Sequence, residues 1–126
     1  MMDIKASQST PAIRWNGDSR VLSISGESYP ENSFAFYAPV FEWLTRELEE
    51  GPGLELSVNV SYMNSSSTKC MLDIIDLLCE AADKGSVVRI TWFYDSGNER
   101  ALDLAEEFRE DVSIPFDIRP LEGGPK

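Results

Sequence analysis

Leu54-Glu55-Leu56-Ser57-Val58-Asn59-Val60-Ser61-Tyr62-Met63 alternates apolar and polar residues along its length, then runs straight into Asn64-Ser65-Ser66-Ser67-Thr68-Lys69. Successive side chains of a strand point to opposite faces. Leu54, Leu56, Val58, Val60 and Tyr62 therefore share one face, and Glu55, Ser57, Asn59 and Ser61 share the other. The sheet should have one packed face and one wet face. Beyond the hydroxyl cluster the period changes. Met71, Ile74, Ile75, Leu78 and Ala82 recur at helical spacing, with Cys70, Leu77 and Ala81 widening the stripe. Asp83-Lys84-Gly85 closes this helix, with glycine as the stop.

Beyond this helix, Val87 to Tyr94 is rich in β-branched and aromatic residues and reads as a second strong strand. Ser96-Gly97-Asn98-Glu99 has the spacing of a capping box, and Ala101, Leu104, Ala105, Phe108 and Val112 mark the inner face of a further helix. Phe116 to Arg119 is a short last strand, and 121–126 reads as a frayed tail. Upstream, Ala12 to Trp15 and Val21 to Ser25 flank the turn Asn16-Gly17-Asp18 as a hairpin. Phe34, Tyr37, Ala38, Phe41, Leu44 and Leu48 give the first helix, stopped by Gly51-Pro52-Gly53. Pro39 lies inside that pattern and predicts a kink or a later start. Residues 1–9 lack periodicity and read as a loose arm.

The order is β-β-α-β-α-β-α-β. The hairpin is antiparallel, and strands joined through helices should be parallel with right-handed crossovers. This predicts one α/β domain over residues 1–126, a mixed, mostly parallel sheet of about five strands with helices on one face.

The 126 residues carry a net charge of −11 and no histidine. That charge disfavours nucleic acid and anionic membrane surfaces as partners. No apolar run approaches the ~20 residues of a membrane span, and residues 1–10 contain no signal-peptide core, so a cytoplasmic location is expected. Cys70 and Cys79 fall roughly 13 Å apart on opposite faces of one helix and cannot bridge each other.

The missing histidine removes Ser-His and Cys-His dyads and the usual zinc sites. Neither a Gly-rich phosphate loop nor an EF-hand pattern occurs. Asp73, Asp76 and Glu80 fit the solvated side of the second helix. No catalytic residue, metal or cofactor is therefore assigned. Ser66-Ser67-Thr68-Lys69 spells the Ser-x-x-Lys of penicillin-recognising enzymes, but the companion motifs are missing and the chain is short for that fold.

The cluster at 64–68 sits where a parallel strand ends and a helix begins, the edge at which open α/β sheets meet ligands and partners. The first helical N–H groups are unpaired there, and the helix dipole is positive. Asn64 or one of the serines can serve simply as an N-cap. The same position suits a phosphate. Phosphorylated Ser65 would bring roughly two negative charges to that end, with Lys69 four residues on as a partner.

Five blocks carry a family resemblance: Ser9-Thr10-Pro11-Ala12-Ile13; Ser28-Tyr29-Pro30-Glu31-Asn32-Ser33; Tyr62-Met63-Asn64-Ser65-Ser66-Ser67; Met71-Leu72-Asp73-Ile74-Ile75-Asp76-Leu77-Leu78; and Asn98-Glu99-Arg100 with Ala105-Glu106-Glu107-Phe108-Arg109-Glu110-Asp111. The element order with a hydroxyl at this position resembles the STAS domain of anti-sigma factor antagonists. The blocks, in order over nearly the whole chain, resemble more closely the SiaC family of biofilm-regulating phosphoproteins. The resemblance implies a bacterial adaptor that binds and activates a diguanylate cyclase when unphosphorylated. It also implies a serine/threonine kinase that releases the cyclase and a PP2C-type phosphatase that resets the protein. The family's phosphoacceptor, a Thr after the Asn, falls on Ser65, with Ser66, Ser67 and Thr68 in reserve. Tyr29, Pro30, Glu31, Asn32, Tyr62, Asn64, Ser65, Ser66 and Lys69 are the expected partner-contact residues, and a homodimer remains open. Two other readings stand beside this one: a STAS-like carrier of a small molecule or lipid, which needs an apolar cavity, and a hydrolase built on Ser66 and Lys69.

Overall fold

The computed structural model describes residues 2–110 and 112–121. In chain order they form β1 (Asp3–Ile4), β2 (Ala12–Asn16), β3 (Val21–Ser28), α1 (Ser33–Glu50), β4 (Gly53–Met63), α2 (Ser65–Asp83), β5 (Val87–Asp95), α3 (Glu99–Arg109) and β6 (Phe116–Leu121). The strands make one 6-stranded sheet in sequence order. β1–β2 and β2–β3 pair antiparallel, and the remaining neighbours pair parallel. Strands added successively in one direction through right-handed crossovers place every connecting helix on the same face. Leu22, Ile24, Leu54, Leu56, Val58, Val60, Val88, Ile90 and Trp92 point into the core beneath those helices. Arg14, Ser25, Asn59 and Arg89 look outward from the bare face. The predicted class and one-sided layering hold.

The sheet has a sixth strand where about five were expected, because the loose arm is not loose throughout. Asp3 and Ile4 pair with Arg14 and Ile13, the Met2 carbonyl accepts from Trp15 N at 2.9 Å, and the Met2 side chain is buried. A two-residue strand is too short to show alternation, so only its neighbour reveals it. Further along, the Ser9 carbonyl accepts from Tyr29 N at 2.7 Å and ties the arm to the end of β3. Leu121 belongs to β6 rather than to a tail; 122–126 lie outside the described residues.

α1 starts no later for Pro39. Asn32 Oδ1 accepts from Ala35 N at 3.0 Å, and the helix continues through Pro39 to Glu50. The bond that Pro39 cannot donate would have gone to the Ala35 carbonyl. Both residues are exposed, so water can serve that carbonyl. The buried stripe is Ser33, Tyr37, Val40, Leu44 and Leu48, which leaves Ala38 and Phe34 outside, Phe34 at 56% exposure. α3 is capped by Asn98, whose side chain accepts from Ala101 N, rather than by Ser96.

β4 breaks its own alternation near its end. Gly26 aligns with Val60 and Glu27 with Tyr62, so Ser61 is an extra residue, a β-bulge. Gly26, at φ 122, supplies the irregular backbone opposite. Past the bulge Met63 turns into the core, and Tyr62, expected on the packed face, turns out with 53% exposure.

Gly53 is the tightest backbone approach. It has φ +138, and a Cβ there would lie 1.9 Å from the Val87 carbonyl oxygen. Gly53→Ala should therefore cost about 3 kcal/mol or more, since backbone must move as well as strain. Gly85, at φ +103 with nothing within 4 Å of a Cβ, should cost only about 1–2 kcal/mol on the same change. Urea unfolding of the two variants checks this ordering.

Candidate functional site

β3 and β4 are parallel neighbours, so they end at the same edge of the sheet, and each feeds a helix there. Ser28 closes β3; Tyr29, Pro30 and Glu31 then lead to the cap Asn32 and the first helical residue, Ser33. Met63 closes β4, Asn64 caps α2, and Ser65 is the first helical residue. Two helix N-termini, each with unpaired N–H groups, thus lie side by side.

Asn64 joins them. Its backbone N donates to the Ser28 carbonyl at 2.9 Å, and its side-chain Nδ2 donates to the Pro30 carbonyl at 3.3 Å. Its Oδ1 accepts from Ser67 N at 2.9 Å and from Ser66 Oγ at 3.3 Å. Behind it runs a buried chain of hydroxyls. Tyr37 Oη lies 2.7 Å from Ser28 Oγ, Ser28 Oγ donates to Ser67 Oγ at 2.7 Å, and Ser67 Oγ lies 2.9 Å from Ser33 Oγ. Ser66 Oγ donates to Ser33 Oγ at 2.8 Å. With Tyr37 as donor to Ser28, every short contact in this chain has one proton. Burial raises the Tyr37 phenol above the usual 10.0, only partly countered by the Ser28 hydrogen bond, so it stays protonated as that donor.

These contacts separate the four candidate hydroxyls. Ser67 is 1% exposed and bonded on both sides. Ser66 is half-buried and held by Ser33 and Asn64. Thr68 bonds back to the Asn64 carbonyl at 3.0 Å. Ser65 is exposed and makes no side-chain hydrogen bond among the described residues. Lys69 does not reach toward Ser65 in this state. Its Nζ pairs with Asp73 Oδ1 at 2.9 Å, and that hydrogen bond raises its pKa. The amine is thus committed and charged, the opposite of what a Ser66–Lys69 hydrolase needs.

The expected contact residues Tyr29, Pro30, Glu31, Asn32, Tyr62, Asn64, Ser65, Ser66 and Lys69 lie along this one edge. Tyr29 and Tyr62 face solvent with ring centroids 6.0 Å apart, edge to face. Sequence reasoning missed the buried partners Ser28, Ser33, Tyr37 and Ser67 as a set. Ser33 and Ser67 each stand one turn before an apolar stripe residue, Tyr37 and Met71; a small hydroxyl at a core-facing position was the available signal. It also missed a groove of about 510 Å3 where Tyr62 and Met63, at the end of β4, face Asn98, Arg100, Asp103, Leu104 and Glu107, from the cap of α3 to its last turn. A second cleft of about 510 Å3 lies at the opposite edge between the ends of α1 and α2. Its lining mixes Leu48 and Leu77 with Glu49, Glu80 and Lys84, unlike the apolar cavity of a lipid carrier. Among the described residues no group of acids and cysteines is placed to hold a metal ion, and no helix is long and apolar enough to cross a membrane.

Asn64→Ala removes the cap and leaves buried hydroxyls short of a partner, and should cost about 2 kcal/mol in chemical denaturation. Tyr37 predicts a pH dependence. Its folded pKa lies above its unfolded value, so its contribution is complete below pH 10.0 and is lost as pH rises through the folded value. Stability should fall on the alkaline side of pH 10.0 in the natural protein. Tyr37→Phe should be about 1 kcal/mol less stable at neutral pH and show a shallower alkaline decline.

Known proteins share this fold. An uncharacterized protein of Pseudomonas aeruginosa (strain UCBPP-PA14) is 48% identical over 119 residues, 94% of each chain. The crystal structure of the diguanylate cyclase SiaD in complex with its activator SiaC, from Pseudomonas aeruginosa, contains a chain 47% identical. It superposes with a TM-score of 0.91, covering 96% of this chain and 100% of that one. Apo-SiaC of the same organism is 45% identical with a TM-score of 0.87, covering 94% of this chain and 97% of that one. The model of the SiaC family regulatory phosphoproteins matches residues 4–121. With the family match over residues 4–121 and the likeness to solved SiaC chains in both sequence and fold, this chain belongs to the SiaC family of regulatory phosphoproteins.

Proposed function

We propose that this protein is a phosphorylation-switched adaptor whose unmodified form binds and activates a diguanylate cyclase. A serine/threonine kinase phosphorylates Ser65 and releases the cyclase, and a PP2C-type phosphatase restores the binding form. One observation carries the choice of residue: Ser65 alone among the four clustered hydroxyls is both exposed and unbonded. A kinase and a phosphatase must each draw the hydroxyl oxygen into an active site. Ser67 would first lose two buried hydrogen bonds, and Ser66 and Thr68 would lose theirs.

The physics of the position supports a switch that leaves the fold intact. A phosphate on the first helical residue meets free N–H groups and the positive end of the helix dipole. It adds roughly two negative charges beside the exposed Tyr29–Tyr62 pair. Aromatic side chains at a protein interface bind by leaving water, and a hydrated dianion at their margin opposes that. The likeness to SiaC, which is the activator in its complex with SiaD, supports a cyclase as the partner. Regulation through cyclic di-GMP and biofilm formation follows from that partner. A carrier role has no observation in its favour.

Incubation with the cognate kinase and ATP, followed by mass spectrometry, should place phosphate on Ser65, and Ser65→Ala should abolish incorporation. Ser65→Glu should weaken cyclase capture at least tenfold, about 1.4 kcal/mol. Undiminished labelling of Ser65→Ala, or full cyclase binding by Ser65→Glu, would sink the proposal.

A further inference from the structure

We infer that Arg100, on the neighbouring helix α3, is the side chain that receives the phosphate of Ser65. The inference rests on the reading of Ser65 as the phosphoacceptor and adds to it the residue that reads the modified state.

The helices α2 and α3 are set alike on the sheet. Each leaves the same edge of the sheet and returns to begin the next parallel strand, so the two helices run in the same direction and start together. They face each other across a small cleft lined by Thr68 and Leu72 of α2 and by Leu104, Glu107 and Phe108 of α3. On α2, Ser65 precedes Thr68 by three residues and Leu72 by seven. On α3, Arg100 precedes Leu104 by four and Glu107 by seven. These are the spacings of a single helix face. Ser65 and Arg100 are therefore the next members, toward the sheet edge, of two stripes that line one cleft. The backward steps are about 4.5 Å on α2 and about 6 Å on α3, so the two residues remain nearly level.

The groove at that edge agrees. Arg100 lines it together with Tyr62 and Met63, and Met63 is separated from Ser65 only by the cap Asn64. Arg100 is the single cation of that lining and makes no ion pair among the described residues. The groove's other charges, Asp103 and Glu107, would repel a phosphate. Arg100 thus offsets a repulsion as well as offering the planar, two-pronged donor geometry that suits a phosphate. Lys69 is the rival on α2 itself, but it is occupied by Asp73. In the modified protein the α3 end becomes linked to the α2 end, so phosphorylation changes the shape of the groove as well as the charge of the edge.

Protein carrying phosphoserine installed at position 65 during synthesis tests this without any kinase. The readout is the 31P shift titrated through the ordinary second phosphate pKa of about 6. The midpoint in the otherwise natural protein should lie at least about 0.5 unit below that of Arg100→Gln, roughly a threefold difference in proton affinity. Arg100→Lys should fall between them, and Lys69→Ala should match the natural protein. The helix dipole, Asp103 and Glu107 are common to all four, so the difference isolates the side chain at 100. Equal midpoints with and without Arg100, or a shift produced by Lys69→Ala instead, would overturn the inference. Arg100 is exposed, so its variants should fold, and circular dichroism of the unphosphorylated forms checks that. A failure of kinase labelling at Ser65 would count against the phosphoacceptor reading and leave this titration unchanged.

Discussion

Two helices begin side by side at one edge of the sheet, each capped by an asparagine, and Asn64 is the residue that ties the two starts together. It caps α2 through Oδ1, holds the turn before α1 through Nδ2, and anchors to the end of β3 through its own backbone. The serines behind it pair with one another and with Tyr37, so that Ser28, Ser33 and Ser67 can be wholly or almost wholly buried at no loss of hydrogen bonding. A buried polar network of this kind is favourable only when every member is satisfied. Its closure explains why the helix starts are set to within a residue.

The same network separates a structural layer from a presented one. Ser67 faces inward and belongs to the core; Ser65, two positions earlier on the helix, faces water. The bulge at Ser61 makes the matching division on β4: Met63 drops into the core and Tyr62 swings outward beside Tyr29. Without the extra residue, period-two alternation would have buried Tyr62 and removed half of the exposed aromatic pair. A packed, hydrogen-bonded layer thus stands behind the exposed Ser65, Tyr29 and Tyr62. The one-sided sheet contributes too, because all three helices start or end along its edges and two of the starts meet at the candidate site.

Much of this was legible in the sequence, for identifiable reasons. Long, strongly periodic segments such as Leu54–Val60 and Met71–Leu78 reported their elements because burial on one face imposes the period. The Asn-Ser run reported a helix start because only a few side chains cap well. The reading failed where the deciding neighbour was remote in sequence. β1 is too short to show a pattern and exists through β2. Pro39 is tolerated because it and Ala35 both face water. Asn98 rather than Ser96 caps α3. Tyr62 changed sides through a register shift against Gly26.

The fold class, the order of elements from β2 onward and the hydroxyl cluster at the start of α2 were all carried by the sequence. It could carry them because hydrophobic period and capping chemistry are local properties. Which hydroxyl is free and which are bound was decided only by the tertiary structure. The partners that distinguish Ser65 from Ser66 and Ser67 come from β3 and α1, more than thirty positions away for Ser28 and Ser33. The groove between the end of β4 and α3 likewise exists only once the parallel strands have set their elements beside each other. Hydrogen bonding between distant segments is invisible to any local pattern, and here it distinguishes the bonded hydroxyls of Ser66 and Ser67 from the exposed one of Ser65.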